Sequence, residues 1–151
     1  MARLPKKLGF TQKPRHHVFI NPRSDAAFTR CPKCDYPTRL RKFPLVVHLA
    51  PVNRPAVINK TCRYCIACDL IIIRRLDFDP LVGSLIGRAI DLLEEEPYLP
   101  LGTMDREGWK QVSIGLLTTG DLPDIIIPFK NRWNFEPVPR WVKVDGTKNG
   151  N

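Results

Sequence analysis

The chain has 151 residues, enough for one domain or a small domain with an appendage, and its 43% hydrophobic content excludes wholesale disorder. No apolar run approaches the roughly 20 residues a membrane-spanning helix needs, and the basic first residues lack the hydrophobic stretch of a secretory signal. The formal charge of +9 is uneven: residues 1–76 carry 16 Lys+Arg against 3 Asp+Glu, a net of +13, and residues 77–151 carry 8 against 12, a net of −4. A reducing, cytoplasmic setting is therefore expected, with no membrane partner. Fifteen prolines argue for short strands and irregular turns rather than long helices.

Residues 1–24 hold Arg3, Lys6, Lys7, Lys13, Arg15 and Arg23, no acidic residue, and prolines at 5, 14 and 22. Without apolar periodicity this stretch is expected to be a flexible basic arm. His16 and His17 are adjacent. In an extended segment their side chains point in opposite directions, so they cannot easily chelate one ion and are expected to be solvated.

All five cysteines fall between residues 31 and 68, as Cys31-Pro32-Lys33-Cys34 and Cys62-Arg63-Tyr64-Cys65-Ile66-Ala67-Cys68. Two Cys-x-x-Cys turns with a hairpin-length spacer are the spacing of a tetrahedral thiolate site, and one zinc ion is the expected occupant. An odd count and no export signal argue against disulfides. An iron–sulfur centre is the rival, since Cys62, Cys65 and Cys68 repeat a ferredoxin-like spacing and Pro32 follows Cys31. It would leave one cysteine idle.

Turn chemistry selects the ligands. The residue after the second cysteine of such a turn often takes positive φ, which Asp tolerates and β-branched residues resist. Asp35 follows Cys34 and Asp69 follows Cys68, whereas Ile66 follows Cys65. The preferred set is Cys31, Cys34, Cys65 and Cys68, with Cys62 a buried spare thiol. The competing set uses Cys62 in place of Cys68. Four thiolates leave no open position for water, so the ion would be structural rather than catalytic.

Cys31-Pro32-x-Cys34, and Cys65-x-x-Cys68 running into Leu70-Ile71-Ile72-Ile73, resemble the two knuckles of a zinc ribbon over about residues 31–75. Asp replaces the usual Gly after each pair, and the spacer is long enough to require an extra hairpin. The resemblance implies a small antiparallel sheet and binding of nucleic acid or protein rather than catalysis. The basic half-chain makes nucleic acid the first partner class, with Lys33, Arg39, Arg41, Lys42, Arg63, Arg74 and Arg75 as candidate contacts.

Strands are expected over 38–41, 45–49 and 57–61, with His48 a core or sheet-edge residue rather than a ligand. Leu70–Ile73 is the most hydrophobic strand. Asp79-Pro80 reads as a helix cap and first position, opening an amphipathic helix over 80–96 that ends at Pro97. Short strands are then expected over 98–104, 112–117 and 125–129. The segment from Phe129 to Lys143 interleaves aromatics with cations and is expected to close the core as an edge strand.

The overall expectation is an α+β protein: a basic arm over 1–24, a zinc ribbon over 25–76, a helix and β-rich part over 77–145, and a frayed tail over 146–151. No phosphate loop, dinucleotide fingerprint or nucleophile elbow is present, so neither an enzyme nor a small-molecule substrate is expected. A protein-assembly component is the alternative function.

Overall fold

The computed structural model describes residues 11–23, 25–105, 115–116 and 125–135. Their strands form a single mixed sheet with one helix, an α+β arrangement. In chain order they are β1 (His17–Asn21), β2 (Arg39–Leu49), β3 (Arg54–Cys65), β4 (Leu70–Arg74), α1 (Arg75–Ile86), β5 (Tyr98–Met104), β6 (Gly115–Leu116), β7 (Ile126–Pro128) and β8 (Arg132–Trp133). The sheet order is β7-β5-β2-β3-β4-β1-β8, with β6 on β3.

The long β2–β3 hairpin pairs in unbroken register from Arg39 opposite Tyr64 to Leu49 opposite Arg54. It merges the strands expected over 38–41 and 45–49. β1 lies parallel to both β4 and β8. The sheet curls until its two edges share one chain segment, because only residues 129–131 separate β7 from β8. Phe129 N donates to Leu101 O, Lys130 N to His16 O and Arg15 N to Pro128 O, at 3.0, 2.8 and 2.9 Å. The strands expected as a ribbon and a separate β-rich part thus belong to one curled sheet.

Alternation along the strands selects the inner face. Val18, Ile20, Phe43, Leu45, Val47, Leu49, Ile58, Tyr64, Ile71 and Ile73 fill it, and α1 adds Phe78 and Val82. The opposite face is covered too. Phe19, Leu70 and Ile72 meet Phe28, Cys31, Cys65 and Trp133, while Val46 and Val57 meet Leu101 and Ile126. Burial on both faces explains why β4 reads as a continuous apolar run.

Two expectations are corrected. Residues 17–21 lie in the sheet as β1, not in a flexible arm, and His16 is 4% exposed rather than solvated. The helix spans Arg75–Ile86, not 80–96. Asp79 is no cap. It is buried inside the helix, accepts from Arg75 Nε at 2.9 Å one turn away, and accepts from the Tyr98 hydroxyl at 2.6 Å. Gly87, at φ 83, ends the helix in the left-handed conformation that glycine alone adopts freely. The three glutamates therefore lie beyond the helix. Glu94 pairs with Arg88, and Glu96 with Arg132.

Of the aromatic and basic segment, Phe129 and Trp133 are buried, as expected of chain that closes the core. Residues 136–143, and the expected strand over 112–117 apart from Gly115 and Leu116, lie outside the described residues.

Candidate metal centre

The four sulfurs of Cys31, Cys34, Cys65 and Cys68 lie within 4.8 Å of one another. Cys31 Sγ is 3.9 Å from Cys68 Sγ, and Cys34 Sγ is 3.5 Å from Cys65 Sγ. A tetrahedral ion with metal–sulfur bonds near 2.3 Å sets its sulfurs about 3.8 Å apart, so the cluster has the size of a single-ion site. A cubane cluster would stand between its cysteines and hold them farther apart.

The local chain explains the convergence. Cys31 and Cys34 sit on the turn after Phe28, closed by Asp35 N donating to Cys31 O at 2.9 Å and Cys31 N donating to Tyr36 O at 2.8 Å. Cys65 ends β3, and Cys68 sits on the turn into β4. Lys33 N and Cys68 N point at Cys31 Sγ and Cys65 Sγ, each at 3.4 Å. Such N–H groups stabilise sulfur anions. Asp35 and Asp69 adopt φ 64 and 56, the left-handed conformation expected of the residue after each pair.

Burial pushes the Cys31 and Cys68 thiols up, and hydrogen bonding and charge from neighbouring thiols raise Cys68 further. A backbone N–H from Tyr36 is the main cause lowering Cys34. A bound dication would invert this balance, since a coordinating thiol is deprotonated outright. Cys62 stands apart. It faces the inner core from β3, and burial raises its thiol to about 12.

Asp69 joins the second knuckle to the sheet, and sequence inspection missed this role. Its carboxylate accepts from His16 N at 3.2 Å, from His16 Nδ1 at 2.5 Å, from the Tyr64 hydroxyl at 2.6 Å and from Lys130 Nζ at 3.3 Å. Its carbonyl accepts from His17 N at 2.7 Å. Burial opposes ionisation of Asp69, but the donors from Tyr64, His16 and Lys130 outweigh it and hold the carboxyl well below its usual range. The Tyr64 phenol is pushed up to about 12, first by burial and then by Asp69. Burial also lowers His16, an effect that Asp69 only partly offsets. The sole sequence signal was Asp69 in the position after Cys68.

The expected cation contacts separate into groups. Arg39, Arg41 and Lys42 are exposed on β2, and Arg63 is half-buried on β3. Arg41 stacks over the rings of Phe43 and Tyr64 at 5.0 and 5.3 Å. Lys33 lies 4.0 Å over the Trp133 ring. Arg74 approaches Asp77 at 3.8 Å. Arg75 is 4% exposed, paired with Asp79 at 2.7 Å, and donates to the carbonyls of Leu92 and Glu94. It therefore belongs to the core and offers no surface to a partner. His48 lies on β2, apart from the sulfur cluster.

No helix among the described residues is long and apolar enough to cross a membrane. The chain matches no family model, no curated protein and no solved structure.

Proposed function

We propose that this protein is a non-catalytic binding module, held together by one structural zinc ion on Cys31, Cys34, Cys65 and Cys68, that binds nucleic acid through its basic amino-terminal half. The observation that carries the reading is a closed four-sulfur cluster beside cations without acidic partners. Zinc fits an all-thiolate tetrahedron, and four protein ligands leave no place for a reacting water. Among the described residues no carboxylate pairs with Lys33, Arg39, Arg41, Lys42 or Arg63. Unneutralised cations along one end of the β2–β3 hairpin, on both of its faces, support the reading of a polyanion binder. Free thiols suit a reducing, cytoplasmic setting.

Fluorescence anisotropy with labelled single-stranded RNA and DNA tests the reading. Binding should weaken steeply between about 50 and 200 mM salt, as counterion release requires. No binding at the lower salt would end it.

A second reading, an assembly component, is favoured by the exposed apolar side chains Leu76 and Leu81 on α1 and Leu93 beyond it, the last 94% exposed. A protein complex that survives nuclease treatment would support it.

A further inference from the structure

The strand registers set two rows of side chains across the outer face of the sheet. Paired residues share a face, so Leu40, Arg63, Ile72 and Phe19 form one row across β2, β3, β4 and β1. Two residues along, Lys42 lies opposite Thr61 and Arg74 opposite Asn21. Where β3 and β4 part beyond Arg63 and Ile72, beside the loop after β1, a groove of about 180 Å³ opens, lined from this face by Leu40, Thr61, Arg63 and Arg74, from the inner side by Lys60 and Cys62, and by Asp77 of α1.

The groove thus gathers three cations and a hydroxyl against one carboxylate, and that carboxylate is already engaged by Arg74 at 3.8 Å. Neither Lys60 nor Arg63 has an acidic partner among the described residues. Its mouth continues into Lys42, and Leu40 beside it is 62% exposed, a large apolar side chain left open on a sheet face. Cations converging on a cleft focus the field and favour a compact anion with several acceptor oxygens.

We infer that this groove is a phosphate-binding site, and that its occupant is the backbone of a single-stranded nucleic acid. The inference rests on the nucleic-acid reading and assigns it a place. A lone phosphate would need only the groove. Lys42, on the same face of β2 as Leu40, extends the cations past the space one phosphate fills, as a repeating polyanion requires. Lys60, Arg63 and Arg74 contact the seated phosphate, Thr61 donates its hydroxyl to it, and Leu40 lies against the adjoining sugar or base.

The test compares wild-type protein with Arg63→Gln, Lys60→Gln, and a remote control, Arg54→Gln, for binding of a labelled single strand of about 16 nucleotides, a length within reach of small binding modules. Arg54 opens β3 nine residues from Arg63, which places it about 30 Å away along the strand. Metal content and thermal midpoint establish that each variant is folded.

Arg63→Gln and Lys60→Gln should each weaken binding about three- to tenfold and reduce the salt slope by about one, while Arg54→Gln leaves both nearly unchanged. Equal losses in all three variants would overturn the groove while leaving the nucleic-acid reading intact. No binding by wild type would overturn both. Two competition arms identify the ligand. Displacement by inorganic phosphate or a mononucleotide as readily as by unlabelled strand would overturn the backbone as occupant. Equal affinity for poly-glutamate would overturn phosphate recognition itself.

Discussion

Asp69→Ala is expected to loosen the sheet without emptying the metal centre. The substitution strips the partner from the Tyr64 hydroxyl and from the His16 side chain and backbone, all in buried or half-buried surroundings. Each such orphaned group costs about 1–3 kcal/mol. Lys130 is 43% exposed, and its loss adds less than about 1 kcal/mol. Alanine at φ 56 adds about 1 kcal/mol of backbone strain. After allowance for relaxation and water entry, the expected total is about 4 kcal/mol, a large share of a small domain's stability. Asp69→Asn tolerates the positive φ and keeps one acceptor for Tyr64, so it should cost about half as much. Guanidinium unfolding of the zinc-loaded protein measures both, with metal stoichiometry determined on the same samples. Retained metal with the larger loss for alanine is the expected pattern. A cost below about 1 kcal/mol for Asp69→Ala would refute the view that this carboxylate ties the knuckle to the sheet. Loss of metal in the variant would show that the effect runs through coordination instead.

Cys62→Ala should retain one metal ion, whereas Cys68→Ser should lose tight binding. With its thiol raised to about 12 by burial, Cys62 should also resist alkylation in the folded protein, and rapid labelling at neutral pH would contradict its placement. Asp79→Ala leaves Arg75 buried without a counter-charge and should cost about 3–5 kcal/mol in an unfolding titration. The double change Arg75→Met, Asp79→Leu should cost distinctly less. Because burial lowers His16, the folded protein holds it neutral at pH values where the unfolded chain already takes up a proton. Its contribution to stability therefore falls as pH drops below the ordinary value of 6.5, and its ring titration followed by NMR should have a midpoint below 6.5. A midpoint above that value would mean that Asp69 outweighs burial.

What the sequence disclosed was chemistry carried by neighbouring residues. Cys-x-x-Cys-Asp at 31–35 and 65–69 specified both which cysteines converge and the positive φ of Asp35 and Asp69. Leu70–Ile73 and Tyr98–Met104 announced strands through their apolar content. What stayed hidden depends on partners remote in the chain. β1 is five residues long, flanked by Pro14 and Pro22 in a basic stretch, and its parallel neighbour β4 lies about 50 residues away, so no local pattern marks it. His16 meets Asp69 across 53 positions. Asp79-Pro80 carried a correct local signal for a cap, but the buried ion pair with Arg75 overrode it and moved the start of α1 forward.

Elemental analysis and visible absorption of protein purified without added metal test the central claim most directly. One zinc per chain in a colourless protein, lost together with cooperative unfolding when Cys31 or Cys65 is changed to serine, is the expected result. A cooperatively folded protein that binds no metal, or one whose colour and iron content reveal an iron centre, would contradict it.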